Sequence, residues 1–136
     1  MNYFLRNIIL WTWCLPQTLL GILLYIILKL RKDIANVTQH KDITLITTRD
    51  TKLLIGISLG KFIFINESKL DNELIKHEYG HTLQGYYTGP LYIIIIGIPS
   101  VFQAIRLSVD KKFTYKQYEN SYPEKWADEL GGVRNK

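Results

Sequence analysis

The run HEYGH, residues 77–81, sets two of the chain's three histidines four positions apart, with a glutamate beside the first. Residues four apart share one face of a helix, so His77 and His81 can direct their imidazoles at a single point. Two nitrogen donors so arranged suit a tetrahedral Zn2+ ion. Glu78 lies one step round the helix, beside such a metal rather than on it. There its carboxylate can take a proton from a water that zinc has acidified, which is the chemistry of hydrolysis. The competing reading is a polar helix face carrying an ordinary histidine pair.

A catalytic zinc needs a third protein ligand and an open fourth position. A metzincin extension would require glycine at 84 and histidine at 87, where the chain has Gln84 and Tyr87. An intramembrane peptidase of the site-2 type would offer an aspartate on a later apolar segment, and residues 91–105 contain none. The chain does carry Glu124-Lys125-Trp126-Ala127-Asp128, two acidic residues again four apart.

HEYGH followed by EKWAD resembles the glutamate zincins (gluzincins), whose second helix contributes an ExxxD arrangement. The resemblance rests on these two short motifs, in the family's order and both on predicted helices. It implies a zinc-dependent peptidase in which Glu124 is the third ligand and Asp128 accepts a hydrogen bond from the outer nitrogen of a ligating histidine. A ligating imidazole has independent need of such an acceptor, which fixes its orientation and raises its basicity. Membrane-embedded gluzincins, such as the prenyl-protein peptidases and the bacterial stress peptidases, share the motifs in far longer chains. The segments HEYGHTLQ, GPLYIIIIGIPS and WADELGGV also look like a group of small bacterial membrane proteins. Ser121-Tyr122-Pro123-Glu124 is equally a capping-box pattern, in which Glu124 would only close its helix and leave zinc one ligand short. Asp110, Glu119 and His40 are the remaining candidates for the third place. Tyr115, Tyr118 and Tyr122 precede Glu124, and each could donate a hydrogen bond to a developing oxyanion. Gln84, seven residues after His77, falls on the same side of the helix and could touch substrate.

The elements that must position these groups follow from local pattern. Ser68-Lys69-Leu70-Asp71 fits a capping-box start, predicting a helix over about 69–87 that Gly89-Pro90 ends. Before it, DITLITTRDTKLLIGISLGKFIFIN reads as two or three strands near 43–48, 52–57 and 61–65 in a small antiparallel sheet. The edge of that sheet could receive an extended peptide. The preceding DIANVTQHK reads as a polar connector. PEKWADEL is a short C-terminal helix with Pro123 in its first turn, closed by Gly131-Gly132. The fold class is α+β.

Apolar residues make up 47% of the 136 residues but are unevenly spread. Residues 7–28 carry no charge and read as a membrane helix, with Trp11, Trp13 and Tyr25 as interfacial anchors and Pro16 either kinking the span or making it re-entrant. The alternative is a signal peptide, but no small-x-small cleavage site follows. A second charge-free tract lies between His81 and Arg106; it reads as a second span, an interfacial hairpin or a buried core helix. Net charge is +5, with Lys29, Arg31 and Lys32 directly after the first tract. The positive-inside rule then puts residue 29 onward in the cytoplasm, and the cluster suits anionic headgroups. The other basic residues are scattered, so no nucleic-acid partner is expected. A single cysteine excludes an internal disulfide and a thiolate zinc cluster.

The expectation is a membrane anchor with a basic flank over 1–32, then a minimal gluzincin-like domain over 33–136 that includes the hydrophobic segment 89–105. It would hydrolyse a peptide or protein segment close to the bilayer. The alternatives are a non-catalytic membrane-anchored protein with structural zinc or lost activity, and a membrane protein without metal.

Overall fold

In a computed structural model, which describes residues 2–50 and 55–133, the tract expected to form one membrane helix is broken in two. Helix α1 (Tyr3–Trp11) meets α2 (Leu15–Leu30) at 83°, and among the described residues no single helix is long and apolar enough to cross a membrane. The break has local causes. The Thr12 hydroxyl donates to the Ile8 carbonyl (2.6 Å), and Pro16 sits in the first turn of α2, where its missing N–H costs nothing. The elbow also has work elsewhere in the fold. Trp13 Nε1 donates to the Tyr86 carbonyl, Cys14 Sγ to that of Gly85, and Gln17 Nε2 to that of Gly89 (3.3, 3.4 and 3.0 Å). These are carbonyls at the end of the following long helix; those of Gly85 and Gly89 also accept from the backbone N–H groups of Gly89 and Tyr92, whereas the residue four beyond Tyr86 is Pro90, which has no N–H to offer.

The sheet has four strands and is mixed, not the antiparallel sheet of two or three that the sequence suggests. Strands β1 (Ile34–His40), β2 (Ile43–Thr48), β3 (Gly56–Leu59) and β4 (Phe62–Asn66) lie in the order β1-β2-β4-β3. β1 pairs antiparallel with β2, and β3 antiparallel with β4, while β2 and β4 run parallel because β3 pairs on the outer side of β4. The segment read as a polar connector is therefore an edge strand, exposed along most of its length. Of the strand expected at 52–57, residues 52–54 lie outside the described residues. Gly60 turns β3 into β4 at φ +61°, and a Cβ there would lie 2.1 Å from Thr18 Oγ1, so only glycine fits.

Both faces of the two central strands are covered, which is why β4 opens on an unbroken apolar run, residues 62–65, and why β2 carries only threonine as its polar residue. Ile43, Leu45, Ile63 and Ile65 face α1 and the long helix, packing with Leu10, Cys14 and Tyr79. Ile46 and Phe64 face the opposite way, onto Leu24, Tyr25 and Leu28 of α2. The 83° elbow thus wraps the sheet, with α1 on one face and α2 on the other. The boundary expected near residue 32 is not a packing boundary, since Leu10 and Cys14 are buried in the same cluster as the strands.

The remaining helices are α3 (Asn72–Thr88), α4 (Ile98–Val109), α5 (Tyr115–Glu119) and α6 (Glu124–Gly131). One π-helical turn, Ile93–Gly97, leads into α4. Pro99 explains it: without an N–H, Pro99 cannot bond the Ile95 carbonyl four residues back. The Ile98 N–H reaches five residues back to Ile93, and the Tyr122 hydroxyl satisfies the Ile95 carbonyl at 2.7 Å.

Candidate metal centre

Helix α3 begins one turn later than the Ser68 pattern suggests. Asp71 is its N-cap, its carboxylate accepting from the Leu74 N–H at 2.7 Å, while Ser68 lies in a preceding 3-10 turn. The helix carries His77, Glu78 and His81 toward α6, and α6 approaches unusually closely. A Cβ on Gly80 would fall 1.9 Å from the Ala127 carbonyl oxygen, and one on Gly131 would fall 1.9 Å from that of Lys76. Only two glycines, one on each helix, allow this contact. It is what carries Glu124, at the first turn of α6, over the histidine pair.

The result is a convergence of three donors. His77 Nε2 lies 3.0 Å and His81 Nε2 3.3 Å from Glu124 Oε2, and the three ligand atoms all fall within 4.8 Å of one another. A tetrahedral site with bonds of about 2.0–2.1 Å has ligand-to-ligand edges of about 3.3 Å, so the donor types suit a metal ion and the two imidazole–carboxylate spacings lie near that edge. Each donor is held from behind. His77 Nδ1–H donates to Asp128 at 2.7 Å, and His81 Nδ1–H donates to Gln84 Oε1 at 2.8 Å. Gln84, fully buried, in turn donates to the Pro123 carbonyl at 2.9 Å, tying the histidine to the residue before Glu124. The Ser100 hydroxyl, from α4, donates to the other Glu124 oxygen at 2.5 Å. With both Nδ1 atoms donating, both Nε2 atoms point inward, the tautomer that metal ligation requires.

The electrostatics of the centre follow from two imidazoles and two carboxylates packed together out of water. Burial by itself would lower the His77 pKa, but hydrogen bonds to Asp128 and Glu124 and the charge of Glu78 push it up to about 10. His81 is raised by Glu124 and Glu78 against the same burial penalty. Burial would raise Glu124, yet its bonds to both imidazoles hold it well below the ordinary carboxylate range. Glu78 is raised, chiefly by burial.

Glu78 and the three donors form the floor of a cavity of about 520 Å³, walled by β3, Tyr92 and the segment 93–105. Gly56 of β3 lies against Glu78, for a Cβ there would approach Glu78 Oε1 to 2.6 Å. Tyr118 reaches the cavity and hydrogen-bonds Glu124, and burial raises its phenol pKa. The other tyrosines stand apart from the cavity lining: Tyr122 bonds Ile95, and Tyr115 is exposed and packs on Tyr118. Gln84 is engaged with His81 and Pro123 rather than facing the cavity. Asp110 caps the end of α4 beside Arg106, Glu119 lies on α5 and His40 ends β1, none of them in the donor cluster. Glu124 opens α6, but no side-chain cap bond forms there; the Ser121 hydroxyl donates to the Tyr118 carbonyl instead. Sequence reasoning missed Ser100 and Gly56, whose roles depend on distant segments meeting. Gly80 and Gly131 were legible as glycines within the motifs, though nothing local states what they face.

No family model, no curated protein and no solved structure matches the chain.

Proposed function

We propose that the chain is a zinc-dependent peptidase whose metal ligands are His77, His81 and Glu124. The observation that carries this reading is the three-donor convergence beside a buried carboxylate, at the floor of a cavity large enough for a substrate side chain. Three protein donors rather than four favour a catalytic over a structural site. When bound, a zinc ion supplies a Lewis acid that polarises a carbonyl and acidifies water.

The chain's own residues do the rest. Glu78 takes the proton of the attacking water on its carboxylate as the new carbon–oxygen bond forms. It returns that proton to the nitrogen as the carbon–nitrogen bond breaks. Burial raises its pKa above the ordinary carboxylate value, which makes it a stronger base than an exposed glutamate. Tyr118, a neutral phenol at the cavity wall, turns its one hydroxyl proton from Glu124 to the oxygen that gains charge in the transition state. Strand β3 is an outer strand of the sheet and lines the cavity, so an extended peptide can add beside it. Asp128, Gln84 and Ser100 hold the ligands in place.

The test compares zinc content and turnover of a peptide library in the wild type, Glu124→Ala and Glu78→Gln. Expected are one zinc per chain in the wild type, its loss in Glu124→Ala, and retained zinc with no cleavage in Glu78→Gln. Full zinc in Glu124→Ala would remove the third ligand, and unchanged cleavage by Glu78→Gln would remove the base.

A further inference from the structure

Three helices turn apolar residues away from the rest of the protein. On α2 the exposed residues Leu19, Leu23, Ile26, Ile27 and Leu30 recur at the helical repeat. Ile94, Ile98, Val101, Phe102, Ile105 and Val109 form the same stripe along 93–109. Phe4, Ile8 and Trp11 continue it on α1, with Trp13 exposed at the elbow. A helix facing water shows the reverse pattern, and ordered stripes on three helices exceed the scattered apolar residues of a soluble surface.

The surrounding charge selects the occupant. No aspartate or glutamate occurs in residues 2–32 or 79–109. Lys29, Arg31 and Lys32 are exposed at the end of α2, and Arg106, Lys111 and Lys112 at and just beyond the end of α4; Asp33 pairs with Arg31 and Asp110 with Arg106, so each cluster of three cations and one carboxylate keeps a net charge of +2. Such a cationic rim opposes pairing with a second copy of itself and attracts anionic lipid headgroups. Length agrees with lying on the bilayer rather than crossing it. At about 1.5 Å per residue, α2 and the 93–109 segment extend about 24 and 26 Å, short of the roughly 30 Å hydrocarbon core.

The mouth of the cavity belongs to the same face. Its exposed lining residues are Leu20, Ile98, Val101, Phe102, Ala104 and Ile105, all apolar, whereas Glu78, His81 and Glu124 are buried at the floor. We propose that α1, α2 and α4 dock the protein on an anionic lipid surface with the cavity mouth against the acyl chains, so that the site takes apolar peptide segments presented from the membrane. The substrate half of this rests on the peptidase reading above; the docking half does not.

The full chain is tested by co-flotation with phosphatidylcholine vesicles, with and without about one-third phosphatidylglycerol. It should float with both, more strongly with the anionic vesicles, and lose that excess at high salt. Leu23→Glu and Ile94→Glu, both outward and outside the cavity lining, should each lower partitioning about tenfold while zinc stoichiometry holds. Orientation is read from Phe102→Trp in a background where Trp11, Trp13 and Trp126 are phenylalanine. Bromines on the acyl chains should quench that single fluorophore. Wild-type partitioning by the charged variants, or a soluble oligomer that protects positions 23 and 94, overturns the docking surface. Flotation without quenching overturns the orientation of the mouth. None of these readouts needs turnover, and all can be run on Glu78→Gln; flotation by a protein that binds no zinc would sink the peptidase and leave the surface standing.

Discussion

Gly80→Ala offers a severe test, because it perturbs the metal centre without altering any donor. The added Cβ would lie 1.9 Å from the Ala127 carbonyl oxygen, 2.6 Å from its carbon and 3.0 Å from its Cα. These are backbone atoms, so no rotamer change relieves the clash. Reaching ordinary contact at 3.4 Å or more requires α6 to retreat by about 1.5 Å. Glu124 and Asp128 travel with α6, and the Glu124 Oε2 distances of 3.0 and 3.3 Å would open accordingly. Metal–ligand distances tolerate only about 0.2 Å, so a retreat of that size removes a ligand in effect. Zinc affinity should fall at least about a hundredfold, beyond the range for disturbing one supporting residue. Overpacking should cost about 1–3 kcal/mol of stability, measured separately by thermal unfolding in chelator. Competition against a chromophoric chelator gives the affinity. Gly131→Ala should behave alike, since its Cβ would meet the Lys76 carbonyl at 1.9 Å. Gly85→Ala, whose nearest neighbour would be 3.5 Å away, is the tolerated control. If Gly80→Ala binds zinc within about threefold of wild type, α6 does not set the site in the way argued here.

Three further outcomes follow from the same geometry. Gly56→Ala pushes only on the flexible end of Glu78, at 2.6 Å, so it should keep zinc and fold but lower kcat, as zinc content and steady-state kinetics together will show. Asp128→Asn removes the charged acceptor behind His77 and should weaken zinc binding about 10–100-fold in the same chelator competition. The metal-free protein should lose stability in alkali: the His77 pKa is raised from 6.5 to about 10, so its contribution is complete below pH 6.5 and fades as pH rises through 10. Glu124, depressed from 4.5, contributes above that value and is lost in acid, placing the chelated protein's thermal optimum between pH 4.5 and 6.5. Zinc-loaded protein, whose imidazoles are already neutral, should lack the alkaline decline; a parallel decline would contradict the ligand assignment.

The convergence of His77, His81 and Glu124 was legible in the chain because its parts are local. His77, Glu78 and His81 share one helix, and Glu124 and Asp128 share another, so helical periodicity alone puts each set on one face. The sheet was harder to read. β1 is polar because only one of its edges is paired, and nothing in IANVTQH distinguishes such a strand from a loop. The parallel pairing of β2 with β4 depends on β3 crossing to the outside, a choice made by tertiary packing. The 7–28 tract was legible as apolar but not as two helices, for a physical reason: hydropathy weighs apolar content and not direction. Here part of that content is spent on the sheet, and the polar side chains Thr12, Gln17 and Thr18 serve the bend and the neighbouring elements.

How a chain this short holds three donors in register is answered by α3, which is gripped on opposite sides. At about 100° per residue, His77, His81 and Gln84 fall on one side of the helix, while Tyr79 and Tyr86 fall nearly opposite. Both tyrosine hydroxyls donate to the same buried carboxylate, Asp42, with Arg6 of α1 at 3.8 Å from it. Two donors seven residues apart on one acceptor fix the rotation of the helix about its axis. Any rotation that swung the imidazoles off Glu124 would have to break hydrogen bonds to a buried charge, each worth about 1.5–3 kcal/mol. Axial sliding is opposed in turn by the Gly80–Gly131 contact and by the elbow side chains on the C-terminal carbonyls. The residues that look surplus to the chemistry, including the bent N-terminal tract, are therefore what hold the three donors rigidly in one geometry.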